Sequence, residues 1–351
     1  MKYKMPIRIV SLLYICLIAG GQSVEAENVT PVKVVVLTMF EHEGPRPGER
    51  QLWEERLELI DRLPFPAGRS DIYSDGDGLL LITTGMGVSN AAASVMALGM
   101  DPRFDFTRAY WLVAGICGID PDDGSMGSAV WTDYVVDGGL AHEIDAREIP
   151  EDWKTGYTPL RSPRPYDRNG EPVNPSQIFV LNPDLLQWAY RLTKGTALLD
   201  RPELEHRRSE FIGFPNAQKK PFVLIGSHIS DSTFWHGEKM TEFGNDWVRF
   251  WTEGKGDFTT KAMEDSGTLQ SLRNLFNAGK VDFNRVMILR TAANYTMPSP
   301  GMTAAESLAR ERGAALSAYI ESLEAAFRVG NTVVQELLRN WDQYRDTIPS
   351  G

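Results

Sequence analysis

Short, nearly unbroken apolar runs alternate along this chain with helical patterns, and that alternation leaves few folds open. Val32 to Met39 is rich in β-branched residues and reads as a buried strand. Leu79 to Thr83, Ala109 to Ala114, Ala129 to Val136, Phe222 to Gly226 and Arg285 to Thr291 read the same way. Strands apolar on both faces belong in a sheet covered on both sides. Helical spacing marks Arg50 to Arg62, Asn90 to Leu98, Pro183 to Leu192, Glu238 to Trp251 and Thr260 to Phe276. Near the end, Leu316, Tyr319, Ile320, Leu323 and Phe327 share one helical face. Asn331 then reads as the cap of a second helix running past Trp341. The order predicts a three-layer α/β domain. Glu151 to Ser176, rich in Pro, Gly, Arg and Asp, reads as a long functional loop and not as a domain linker.

The first 26 residues stand apart from this pattern. Lys2, Lys4 and Arg8 precede a short apolar stretch, Ile9 to Gly20, and Val24-Glu25-Ala26 offers small residues at cleavage spacing. This predicts a signal peptide over 1–26, a single domain over 27–351, and export to the periplasm or cell exterior. The 351 residues carry a net charge of −11. The leader holds three basic residues against one acidic, so its loss leaves −13 and Cys117 as the one cysteine. A chain this acidic is a poor partner for a nucleic-acid polymer or an anionic membrane surface. No later stretch approaches the length of a membrane span.

Ligands of open α/β sheets collect at the carboxyl ends of strands. After the first strand, Glu41-His42-Glu43 offers a carboxylate that could act as a general base, or a solvated acidic loop. After the second, Gly85-Met86-Gly87-Val88-Ser89-Asn90 opens a helix; such a turn suits a phosphate or polar sugar, or is only a turn. Cys117 and Gly118 follow the third strand, where small residues let a flat ligand lie on the backbone. No histidine near Cys117 in sequence would activate it, so packing is the expected role. Phe234-Trp235 is a stacking platform or a core anchor. Glu264 caps a helix or accepts from two ribose hydroxyls. Asn294 ends the last strand and can donate to a purine edge; with Tyr295 and Thr296 it also forms a glycosylation sequon. No His/Cys spacing calls for a metal, and no motif calls for a cofactor.

Taken in order, these motifs resemble the nucleoside phosphorylase/nucleosidase superfamily, and more closely the purine nucleoside permease family. The resemblance rests on Glu143-Ile144-Asp145-Ala146-Arg147-Glu148-Ile149-Pro150, Thr155-Gly156-Tyr157, Phe234-Trp235-His236-Gly237, Trp251-Thr252, Ala262-Met263-Glu264-Asp265, and Leu289 to Ala292 with Asn294-Tyr295. It implies a nucleoside phosphorylase-like fold with a mixed central sheet flanked by helices, a purine nucleoside (inosine, guanosine or adenosine) as ligand, and a homo-oligomer. By the same resemblance Met263, Glu264, Gly87 and Ser89 hold the ribose. Phe234, Trp235, Cys117, Gly118 and Asn294 hold the purine. Asn294 stands where many bacterial members carry an aspartate that protonates N7; an amide can only hydrogen-bond there. Glu43 stands where adenosine-type nucleosidases carry the carboxylate that activates water. Arg46 and Arg50 are the candidate cations for a phosphate nucleophile, but the acidic loop beside them repels phosphate, so hydrolysis is the expected reaction. The alternatives are phosphorolysis and binding without turnover in aid of uptake.

Overall fold

The computed structural model describes residues 29–41, 46–59, 61–311 and 317–351. The expected signal peptide, Glu43 and Leu316 lie outside them. Among the described residues ten strands form one mixed sheet. These are β1 (Val34–Thr38), β2 (Asp61–Leu63), β3 (Ile72–Ser74), β4 (Leu79–Thr83), β5 (Tyr110–Ile119), β6 (Ala129–Asp137), β7 (Ile178–Val180), β8 (Val223–Ser230), β9 (Phe258–Ala262) and β10 (Val286–Tyr295). β4, β1 and β5 are parallel neighbours, with β3 and β2 added antiparallel at the edge. β10 runs parallel to β5 and antiparallel to β6. β8 runs parallel to both of its neighbours, β6 and β9, and β9 returns antiparallel to β5. Five strands, β5, β10, β6, β8 and β9, therefore close a ring.

Side-chain alternation sorts the apolar strands into two cores. Val34, Val36, Tyr110 and Leu112 face α1 (Gln51–Arg56), α3 (Pro183–Thr193) and α8 (Tyr319–Arg339). Val35, Leu37, Trp111 and Val113 face α2 (Val88–Gly99) and α6 (Asp265–Asn277). Helices thus cover both faces, which is why the strands read as continuous apolar runs; α4 (Pro202–Ser209), α5 (Glu238–Trp251), α7 (Ala304–Glu311) and α9 (Trp341–Tyr344) are the other helices among the described residues. α2 and α6 meet closely at their first turns. A Cβ on Gly267 would come 2.2 Å from the carbonyl oxygen of Val88, so only glycine allows the approach.

Three features differ from the sequence reading. Thr260 to Ala262 belongs to β9, not to the following helix, because pairing with β5 and β8 outweighs the local helical pattern. The helix expected over Arg50 to Arg62 ends at Arg56, and Asp61–Leu63 is an edge strand. Asn331 lies inside one continuous helix, α8, and caps nothing. Within the long 151–176 loop, Tyr157–Pro159 pairs with Ala141–Glu143.

Sheet topology opens a fork. One edge of β5 is shared: its first half, Tyr110 to Val113, pairs with β1, and its end, Gly118 and Ile119, pairs with β9. The backbone between these halves has no strand partner on that edge. Such a gap requires other groups to satisfy its amides and carbonyls.

Candidate functional site

Glu49 and Arg290 fill the fork. Glu49 Oε1 accepts from the Ile116 amide at 2.7 Å, and its Oε2 accepts from the amides of Met39 (2.6 Å) and Phe40 (3.3 Å). Arg290 Nη1 donates to the Ile116 carbonyl at 3.1 Å. A Cβ on Gly115 would sit 2.8 Å from Glu49 Oε1 and 2.9 Å from Arg290 Nη1, so glycine makes room for both. Arg290 also reaches Asp265 through Nη2 (2.6 Å) and Nε (3.2 Å), and Glu264 Oε2 through Nη2 (3.1 Å). His228 Nε2 lies 3.0 Å from Asp265 Oδ2.

These groups titrate unusually because they are buried together. Burial pushes the Glu49 carboxyl up to about 7, although Arg290 pulls the other way. Burial would also raise Asp265, but Arg290 and His228 outweigh it and hold that carboxyl below the usual range. Burial lowers His228, so its imidazole is neutral at pH 7. The cluster therefore contains a permanent cation, a firmly ionised Asp265 and a Glu49 poised near neutrality.

A cavity of about 220 Å³ opens from this cluster. Glu49, Glu264, Cys117, Phe234, Lys261 and Asn294 are among its walls, with Met263 and Gly118 beside them. A groove of about 250 Å³ adjoins it through Met39, Phe40 and Met86, and is lined by Glu41, Arg50 and Arg69. A larger surface groove, about 680 Å³, lies away from both near Trp153 and Tyr166. Its charged residues pair with one another, as Lys154 and Arg249 do with Asp246, so it offers no convergent polar groups.

The structure brings together six of the residues singled out from sequence: Met263, Glu264, Phe234, Cys117, Gly118 and Asn294. Gly87 takes part indirectly, its amide donating to Glu264 Oε1 at 3.2 Å. The next amide, Val88, donates to Ser232 Oγ at 3.1 Å. The helix N-terminus expected to bind a phosphate or sugar thus has these two donors already engaged. Ser89 points to solvent and does not line the cavity. Trp235 is buried behind it, its ring 6.0 Å from that of Phe258 in an aromatic core. Cys117 lines the wall, but burial pushes its thiol far up, so it is no nucleophile. Asn294 donates from Nδ2 to the Tyr295 carbonyl at 2.9 Å. Tyr295 and Thr296 are buried, so this sequon is not presented at a surface. Arg46 is exposed. Arg50 lies in the side groove, its Nε 3.0 Å from Glu54.

Sequence reasoning missed Glu49, Arg69, Lys261 and Arg290 as site residues. Glu49 lies two residues before α1, where an acid ordinarily means dipole support. Its placement at the fork is fixed by a distant contact, Glu49 N donating to the Phe40 carbonyl at 3.0 Å. Among the described residues no group of three or more His, Cys, Asp or Glu could hold a metal ion, and no helix is long and apolar enough to cross a membrane.

Residues 31–349 match the family model described as purine nucleoside permease (NUP). A purine nucleoside permease of Candida albicans is 28% identical over 321 residues, covering 89% of this chain and 76% of its own length. A probable purine nucleoside permease of Schizosaccharomyces pombe is 27% identical over 270 residues, covering 75% and 76%. Among solved structures, a 5′-methylthioadenosine/S-adenosylhomocysteine nucleosidase from Helicobacter pylori superposes with a TM-score of 0.52 at 12% identity, covering 89% of this chain and 100% of that one. A futalosine hydrolase of the same species gives 0.51 at 12% identity, covering 88% and 99%. The structural likeness is one of fold: the mixed sheet with helices on both faces is the nucleoside phosphorylase-like arrangement.

Proposed function

The chain belongs to the purine nucleoside permease family, and from that premise we propose that its cavity binds a purine nucleoside and hydrolyses the N-glycosidic bond. The observation that carries this reading is Glu49, a buried carboxylate with a pKa near 7, opening into the same cavity as Glu264. Glycosidic cleavage builds positive charge on the ribose and negative charge on the departing base. Glu264, fixed by Arg290 and the Gly87 amide, accepts hydrogen bonds from the ribose hydroxyls. Phe234 covers the base, and Asn294 hydrogen-bonds its edge. Glu49 takes a proton from the water that attacks C1′. The predicted signal peptide places this reaction outside the cytoplasm.

Water is preferred to phosphate because Arg50, the side groove's more buried cation, is committed to Glu54 and lies 3.9 Å from Glu41. The deciding experiment incubates the protein lacking residues 1–26 with inosine, guanosine and adenosine, with and without phosphate, and measures free base and reducing sugar. Base release without phosphate is the expected result. Release that requires phosphate would shift the reading to phosphorolysis at Arg50 and Arg69. Asn294, which has no acid proton to give, favours a second reading in which the protein only binds; tight binding with no base release would establish it.

Glu264→Gln checks the ribose contact. Losing a charge-assisted acceptor should weaken nucleoside binding about 10- to 100-fold, while affinity for the free base, which has no ribose, stays unchanged. Titration calorimetry with inosine and hypoxanthine separates the two. Equal weakening of both ligands would remove Glu264 from the ribose site.

A further inference from the structure

Departure of a purine needs a proton or a strong hydrogen bond on the base, and Asn294 cannot supply the proton. We infer that Lys261 does so, as a further catalytic residue; this rests on the nucleosidase reading above.

Register places it there. Lys261 of β9 and Asn294 of β10 are both paired with Gly118 of β5, from opposite sides. Both line the cavity with Phe234. Gly118 has no side chain between them: a Cβ there would lie 3.2 Å from Asn294 Nδ2. The Lys261 ammonium lies over the Phe234 ring, 5.1 Å from its centroid, and 5.5 Å from that of Trp235. A base entering the cavity beside Phe234 therefore meets both Asn294 and the Lys261 ammonium.

The lysine is also buried without a full set of partners. Its side chain lies in a residue only 4% exposed, and its ammonium donates to the Thr233 carbonyl. Of its three N–H groups that bond engages one, and among the described residues the ammonium forms no ion pair with a carboxylate. A buried, unpaired ammonium is unfavourable unless a ligand or a reaction uses it. Burial lowers its pKa to about 8, although Asp231 and Glu264 pull upward, so it is mostly protonated at pH 7 and acidic enough to give its proton away.

The step balances as follows. The C1′–N9 bond breaks, and its electron pair moves onto the base. The Lys261 ammonium transfers a proton to the imidazole nitrogen of the base that faces it, leaving a neutral amine and a neutral purine. Water bonds to C1′, and its proton goes to Glu49. Solvent then returns a proton to Lys261 and removes one from Glu49. No oxidant, reductant or cofactor is needed.

The test compares inosine with 7-methylinosine, whose base is already cationic and leaves without protonation. Lys261→Met should lower kcat for inosine about 100-fold, lower it at most about threefold for 7-methylinosine, and abolish the fall in inosine hydrolysis above about pH 8. Equal losses on both substrates would show that Lys261 only positions Phe234 and would overturn the inference, as would unchanged inosine turnover. If the methionine variant does not fold, Lys261→Arg keeps the charge but is too basic to release its proton, and should show the same selective loss. Wild-type protein that cleaves neither nucleoside sinks the nucleosidase reading itself, and this step with it; a failure confined to the variants sinks this step alone.

Discussion

Glu49→Gln should reduce base release about 1000-fold, the middle of the range for removing a general base. The reason lies in how the carboxylate is held. Three backbone amides, from Met39, Phe40 and Ile116, fix it at the fork where β1 and β5 part. Burial raises its pKa to about 7. Above that pH it is ionised and can accept a proton from water; below it the group is already protonated. Wild-type kcat/KM should therefore fall about tenfold per pH unit below pH 7. Stability moves the opposite way. Between its ordinary pKa of 4.5 and about 7, Glu49 binds a proton in the folded state that the unfolded chain has released. Its stabilising contribution is thus complete below pH 4.5 and lost as pH rises through 7, by roughly 3 kcal/mol in all. Buried Asp120 and half-buried Asp123 are raised to about 6 and 8, chiefly by loss of hydration, and act in the same direction. They are common to both proteins and cancel in the comparison. Urea unfolding at pH 5 and pH 8 should show the larger fall in the wild type. Equal falls, or a folded glutamine variant with full activity, would remove Glu49 from its proposed role.

Which parts of this were legible in the sequence follows from how far each feature depends on distant contacts. β4 and α5 (Glu238–Trp251) stand where local pattern put them, because a five-residue apolar run and a strongly amphipathic stretch each carry their own signal. β9 did not, since Thr259-Thr260-Lys261-Ala262 takes its conformation from strands on either side. Gly330 also lies mid-helix; a Cβ there would come 2.9 Å from the Trp53 ring, so it serves close packing and does not break α8. The cavity's wall, Phe234, Cys117, Met263, Glu264 and Asn294, was found because each residue lies close to the carboxyl end of a strand. Its charged machinery was not. Glu49, Lys261 and Arg290 look like a helix-start acid, a helical lysine and an arginine inside a strand until the fork in β5 shows what each must satisfy. For the water-activating role the sequence offered Glu43, which lies outside the described residues, because a carboxylate beside a histidine is a conspicuous local pattern; Glu49, proposed above for that role, carries no such local signal.

Arg290→Met should destabilise the fold by about 3–5 kcal/mol, the range for leaving a buried charge without its partner. Arg290 is 1% exposed and is the guanidinium at the centre of three carboxylates, Glu49, Glu264 and Asp265. Burial alone would lower its pKa, but those carboxylates outweigh burial and raise it, so it is charged at every accessible pH. Methionine fills similar length but removes every hydrogen bond, including that to the Ile116 carbonyl. Arg290→Lys should recover only part of the loss, because one ammonium cannot reproduce a planar fork that spans Asp265, Glu264 and a carbonyl. The pH dependence identifies the cause. Asp265 is held below its ordinary pKa of 3.8 in the folded protein, so its pairing stabilises above that value and is lost as pH falls through the lower, folded one. Without Arg290 the carboxylates protonate more readily, and the deficit of the variant should shrink between pH 7.5 and pH 4.5. Removing Arg290 also withdraws the charge that holds Glu49 down, so any residual hydrolysis should lose activity at a higher pH than in the wild type. Denaturant midpoints at the two pH values, with a pH–rate profile, measure both effects. A deficit below about 1 kcal/mol, the scale of an exposed pair, would mean that the cluster is open to solvent, and the raised pKa of Glu49 would lose its basis.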